Sequence, residues 1–143
     1  MLVRQILGLK GGTGVVTIDT GASVADAARL LSEKRIGAVV VVDGETPLGI
    51  FSERDIVREL GRRGDVCLKD NVDQLMTRAM ISSSPEESAD QVLTKMTDGR
   101  FRHMPVMEGD KMIGLISIGD VVKARLSELS MEKDALEGMI KGF

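Results

Sequence analysis

The stretch Gly49-Ile-Phe-Ser-Glu-Arg-Asp55 returns 65 residues later as Gly114-Leu-Ile-Ser-Ile-Gly-Asp120, with Gly, Ser and Asp at the same offsets. A repeat at fixed spacing constrains a fold more than local propensity does, because one supersecondary unit must then be built twice. Sliding the chain by 65 lays Val15–Val57 on Met80–Val122 without a gap. Ser23 falls on Ser88, Arg35 on Arg100, Val41 on Val106 and Gly44 on Gly109. Identities are few, but the apolar positions agree throughout, which marks an internal duplication.

Each copy carries the same elements. Val15–Ile18 and Met80–Ser83 read as short strands. Ser23 and Ser88 are helix N-cap candidates, with Asp26 and Gln91 three residues on; Ser-x-x-Gln is the capping-box pattern and Ser-x-x-Asp a weaker form of it. Val24, Ala27, Ala28 and Leu31 recur at helical spacing, as do Ala89, Val92, Leu93 and Met96, so each helix has one apolar stripe. The helices are expected to end near Gly37 and Gly99. Ala38–Val42 is continuously apolar and reads as a buried strand. Its counterpart Met104–Met107 contains Pro105, which lacks a backbone donor and belongs at a strand start or edge. Turns at Asp43-Gly44 and Glu108-Gly-Asp110 lead into strands Leu48–Phe51 and Met112–Ile116. Each Ser-x-x-Asp then opens a second helix.

The predicted fold is mixed α and β: two strand-helix-strand-strand-helix units and an extended C-terminal helix. Residues 1–62 are assigned to a lead-in segment and the first repeat, 63–79 to a connector with a second lead-in, and 80–143 to the second repeat with the long helix. Val72-Asp-Gln-Leu-Met76 echoes Val3-Arg-Gln-Ile-Leu7, so each copy has its own lead-in. Val122, Leu126, Leu129, Leu136 and Ile140 follow alternating four- and three-residue steps, interrupted by Lys133. The seam either packs on its own domain or forms a dimer contact.

Composition narrows the function. A net charge of −3 does not favour a nucleic-acid surface. One cysteine, Cys67, and one histidine, His103, leave neither an internal disulfide nor a cysteine- or two-histidine-built metal site. No run approaches a membrane span and the start lacks the apolar stretch of a signal peptide, so a cytoplasmic protein is expected. With three Phe and no Trp or Tyr, a flat ligand must be sandwiched mainly by aliphatic side chains and backbone. Gly11-Gly-Thr-Gly14 lacks the Lys-Ser/Thr of a phosphate-binding loop and precedes a strand rather than a helix, so it reads as a flexible lead-in.

Two units of this order, each closing on Gly-h-h-Ser-x-x-Asp (h apolar), resemble a tandem pair of CBS domains. Phe101-Arg-His-Met-Pro-Val and Ile113–Val121 look typical of that family, and Lys34–Asp43 with Gly49–Asp55 also fits. The resemblance covers nearly the whole chain. It implies two units related by pseudo-twofold symmetry, two clefts between them, and dimerisation into a disc of four domains. It also implies a non-catalytic regulatory or energy-sensing module that binds an adenosine-bearing ligand (AMP, ADP, ATP or NAD(H)) and signals to a regulated protein. The alternative is a structural adaptor dimer without nucleotide. Carried over residue by residue, one site would use Ser52, Arg54 and Asp55 with Met80, Ile81, Phe101, Arg102 and His103. The other would use Ser117 and Asp120 with Val15, Val16, Thr17, Ile36, Gly37 and Ala38.

The chemistry allows this. A carboxylate can accept hydrogen bonds from both ribose hydroxyls, and a Ser one turn away adds a third contact. The same spacing is close to a helix capping box, and both roles stay open. Arg54, Arg102 and His103 make the first site basic, whereas Gly119 replaces the arginine in the second and leaves it nearly stripped of charge. Arg is suited to bidentate phosphate contact. His103 is alternatively a pH-sensitive or core histidine, and Cys67 a bystander thiol. No nucleophile–base pair is recognisable, so neither catalytic nor metal-ligating residues are assigned.

Overall fold

The computed structural model describes residues 1–10 and 14–141. Gly11, Gly12 and Thr13 of the glycine-rich stretch lie outside the described residues. In chain order the elements are α1 (Val3–Leu9), β1 (Thr17–Asp19), α2 (Val24–Lys34), β2 (Ala38–Asp43), β3 (Thr46–Ser52), α3 (Glu53–Arg63), α4 (Val72–Leu75), α5 (Ala89–Gly99), β4 (His103–Glu108), β5 (Lys111–Ser117) and α6 (Ile118–Ile140). A 3₁₀ segment, Gly64–Lys69, joins α3 to α4. Among the described residues no helix is long and apolar enough to cross a membrane.

Two compact units form, Val15–Met80 and Met1–Gly14 with Ile81–Phe143. In the first, β2 is the central strand of the order β1-β2-β3, parallel to β1 and antiparallel to β3. That position explains its unbroken run of valines, since Val39, Val40 and Val41 are all buried. Val24, Ala27 and Leu31 of α2 complete this core with Phe51, Val72 and Met76. In the second unit α5 and α6 cover the β4–β5 hairpin, around Val92, Met96, Met104, Val106, Ile116 and Val121. Each large side chain so buried contributes about 1.5–3 kcal/mol relative to exposure.

The duplication extends to irregular features. Both hairpins turn through two residues led by a glycine of positive φ, Gly44 (61°) and Gly109 (62°), where a side chain would be strained. Both carry the same bulge: register shifts between Val41 and Val42, and between Val106 and Met107. Ser23 and Ser88 both cap as expected, their Oγ atoms accepting from the Asp26 and Gln91 amides at 3.1 Å. Only Ser88 completes the reciprocal box, donating its own amide to Gln91 Oε1 at 2.8 Å.

Three features differ from the sequence-based expectation. The helix α5 ends at Gly99 as expected and α2 at Lys34, three residues short of Gly37, but the capping residues are arginines, Arg35 and Arg100, both left-handed at φ 54° and 56°. The carbonyls of Leu31 and Met96 accept from the amides that follow each cap, which holds this conformation although it costs an L-residue roughly 1–2 kcal/mol. Met80–Ser83 is not a strand; Ser83 alone bridges Val106. Pro105 supplies the reason. Its counterpart Val40 donates its amide to Val16 O at 3.1 Å, and proline has no proton to give at that place.

The third feature is where the lead-ins pack. Val3 N donates to Glu87 O and Ala89 N to Met1 O, whereas Val72 N donates to Ala22 O and Val24 N to Asp70 O. These are matching bonds, so α1, which precedes the first repeat, packs in the unit of the second. The α4 lead-in, which precedes the second repeat, packs in the unit of the first. A glycine makes room in each case. A Cβ on Gly114 would stand 2.7 Å from Leu7 Cδ2, and one on Gly49 would stand 2.6 Å from the Thr77 carbonyl.

Candidate functional site

The residues singled out for one shared site fall in both units: Ser52, Arg54, Asp55 and Met80 in one, Ile81, Phe101, Arg102 and His103 in the other. Each group is described within its own unit.

In the Val15–Met80 unit, β3 runs into α3 at Ser52, and the start of β2 lies alongside. Ala38 pairs with Ser52, and Glu53 N donates to Gly37 O at 3.0 Å. The Asp55 carboxylate folds back onto the corner. Its Oδ2 accepts from Ser52 N at 2.8 Å and from Ser52 Oγ at 3.1 Å. Its Oδ1 accepts from Arg58 Nη2 at 2.7 Å. Asp55 is only 5% exposed, so this charge is enclosed and compensated. Arg54 is exposed and makes no ion pair among the described residues. Further along α3, buried Glu59 holds Arg62 and Arg63, and Arg63 also pairs with Asp70, tying the helix end to the connector.

A cavity of about 460 Å³ opens in the same unit, lined by Ala28, Leu31, Ser32, Arg35, Ile36, Gly37, Glu53 and Ile56. It takes in the expected Ile36 and Gly37 but neither Ser52 nor Asp55. The aligned positions of the other repeat carry the larger Leu93 and Phe101, both packed against the core. Val15 and Val16 are half-buried and lead into β1, and Thr17 is exposed. Met80 is half-buried at the end of the unit.

In the other unit Arg102 and His103 lie beside Ser117 and Asp120. His103 pairs with Ser117 across β4 and β5, and Ile118 N donates to Arg102 O at 2.8 Å. The capping box is reciprocal: Ser117 N donates to Asp120 Oδ2 at 2.9 Å, and Asp120 N to Ser117 Oγ at 3.1 Å. Asp120 Oδ2 also accepts from Lys10 Nζ at 2.9 Å, and Lys10 donates to Leu115 O at 2.8 Å. The Asp120 side chain is 23% exposed. Burial pushes its carboxyl up, but the Lys10 ammonium and the Ser117 amide outweigh this and hold it below the ordinary 3.8. Its Oδ1 accepts no hydrogen bond among the described residues. Ile81, Phe101 and Arg102 are exposed or half-buried near the strand start.

Lys10 corrects the expectation that the second corner is nearly stripped of charge. It was missed because it precedes the repeat and has no cationic counterpart in the first copy. Only the packing of α1 in this unit brings it to Asp120. Both Ser-x-x-Asp corners are thus helix caps in their own right, and among the described residues one oxygen of the second carboxylate has no hydrogen-bond partner. No group of three or more potential metal ligands occurs among the described residues.

The model of the family described as CBS domain matches residues 12–62 and 72–127. The chain belongs to the CBS domain family. As a CBS pair it superposes on the CBS-domain containing protein ATU1752 from Agrobacterium tumefaciens with a TM-score of 0.84 and 43% identity, covering 87% of this chain and 99% of that one. Among curated relatives, the protein CBSX3, mitochondrial, of Arabidopsis thaliana is 35% identical over 86% of this chain. The chain spans 62% of CBSX3, and 23% and 22% of two further Arabidopsis CBS proteins. The CBS domain pair of protein MJ0100, solved in complex with 5-methylthioadenosine and S-adenosyl-L-methionine, matches at 25% identity and a TM-score of 0.75, covering 87% of this chain and 98% of that one.

Proposed function

We propose that this CBS pair is a non-catalytic regulatory module that binds an adenosine-bearing ligand through its Ser-x-x-Asp corners. The observation that carries the reading is the second corner. Asp120 is fixed by the Ser117 amide, has an Oδ1 that accepts no hydrogen bond among the described residues, and has a cation beside it. Such a carboxylate can accept from a ribose hydroxyl while the Lys10 ammonium beside it meets a phosphate. Met80, Ile81, Phe101, Arg102 and His103, with Val15, Val16, Thr17, Ile36, Gly37 and Ala38, are the base-facing set in this proposal. The adenosine ligands of the MJ0100 pair support the class of ligand. AMP, ADP, ATP and NAD(H) are the proposed members for this chain. Binding would favour one of two conformations, and a regulated partner protein, or a second copy in a homodimeric disc, would read the change. The proposed setting is the cytoplasm.

One observation favours a ligand-free adaptor as the second reading: Asp55 and Asp120 are each already paired with a cation of their own unit. Thermal melting of the full chain with AMP, ADP, ATP, NAD, NADH, 5-methylthioadenosine and S-adenosyl-L-methionine separates the two. A ligand at a hundredfold its dissociation constant stabilises the folded state by about 2.7 kcal/mol and raises the midpoint. If none raises it at millimolar concentration, the adaptor reading stands.

A further inference from the structure

The long helix α6 outruns its own support. Val121 and Ala124 are buried in the core of its unit. From Leu129 to Ile140 every residue except Gly138 is exposed. Three turns of helix without tertiary packing are marginal in water, so this stretch calls for a partner. Val122, Leu126, Leu129, Leu136 and Ile140 are all exposed. They share one face, turned roughly 100° from the buried stripe. Lys133, 75% exposed, completes the four-three spacing of a coiled-coil seam.

We propose that this seam is an interface with a second copy of the chain, the two α6 helices pairing antiparallel. The proposal deepens the self-association in the function proposed above and does not depend on its ligand. Charge decides both the occupant and the orientation. In a parallel pair Lys133 would face the partner's Lys133 inside the seam, and Glu132 would flank the partner's Glu137 on both sides. Antiparallel pairing removes those contacts. Val122 then meets the partner's Ile140, Leu126 the partner's Leu136, and Leu129 the partner's Lys133. The Lys133 stem covers that leucine while its ammonium reaches the partner's Glu132. Lys123 comes beside the partner's Glu137 on both sides of the twofold. The one like-charged approach, Glu132 to the partner's Glu132, is bracketed by the two Lys133 ammoniums. The seam reads the same from either end, as an isologous contact requires.

Light scattering on the full chain after size exclusion tests the interface. The expected result is a dimer mass for the wild type and a monomer mass for Leu129→Glu combined with Leu136→Glu, with the circular-dichroism melt of the folded body retained. A monomeric wild type overturns the inference. So does a double variant that stays dimeric, which would assign self-association to another surface. Any adenine-ligand shift should persist in the monomeric variant, so failure of the interface and failure of the ligand reading are read separately. Orientation is tested by charge. Glu137→Lys should weaken the dimer severalfold, and adding Lys123→Glu should restore it. In a parallel pair these positions are two heptads apart, so Glu137→Lys would instead strengthen the dimer, and that result overturns the antiparallel arrangement.

Discussion

Asp55 and Asp120 sit at the same step of the same helix start, yet one is enclosed by Arg58 and the other is tethered to Lys10. Arg58 belongs to the helix that Asp55 opens, one turn on, so the clamp is local. Lys10 arrives from the lead-in, far away in sequence. Asp55 is nearly buried, and both its oxygens are in use. Asp120 is partly open and has one oxygen with no bond among the described residues. The sequence-based balance of charges makes the first corner the basic one, the side suited to a phosphate. Access to the carboxylate argues for the second as the one ready to take a diol. A duplicated motif keeps its backbone because capping and hairpin geometry demand it, while the residues around it diverge and can set separate roles.

The largest expected effect lies beneath the corners. Gly49→Ala drives a Cβ into the Thr77 carbonyl, a backbone atom paired with Ile50. It should cost about 1–3 kcal/mol or more in a urea titration, as overpacking does. Gly114→Ala meets only the end of the Leu7 side chain, which can rotate, and should cost less than about 1 kcal/mol. Equal costs would mean that the two lead-ins press on their glycines alike, and would break the comparison.

A smaller effect is expected at the tether. Lys10→Met releases Asp120 Oδ2. The uncharged 5-methylthioadenosine should then bind up to about fivefold more tightly by calorimetry, since a partly exposed ion pair is worth up to ~1 kcal/mol. Weaker binding would make Lys10 a ligand contact instead. Acid should loosen the same tether. The Asp120 carboxyl is held below 3.8 in the fold, so the stability it adds is present above that pH. It is lost as pH falls through the lowered value.

Much of this was legible in the sequence. Hairpins, caps and buried strands announce themselves through glycine positions, Ser-x-x-Gln and valine runs, because each depends on neighbours a few residues away. The Pro105 edge was legible too, but not its consequence, the loss of pairing for Met80–Ser83. The left-handed caps at Arg35 and Arg100 gave no signal, since glycine is the residue expected there. The packing of the lead-ins was also hidden. Val3–Leu7 and Val72–Met76 are alike enough that either could pack on either repeat. Lys10 followed from that choice, and so did the character of the second corner.

The most direct test is calorimetric titration of AMP into the wild type, Asp120→Asn and Asp55→Asn. Asparagine can still accept the Ser117 or Ser52 amide, so the caps survive and a loss of binding reports the missing charge. A hydrogen bond to a charged group is worth about 1.5–3 kcal/mol, so Asp120→Asn should weaken AMP tenfold or more, with a much smaller loss for Asp55→Asn. Unchanged binding in Asp120→Asn, or the larger loss in Asp55→Asn, would contradict the account.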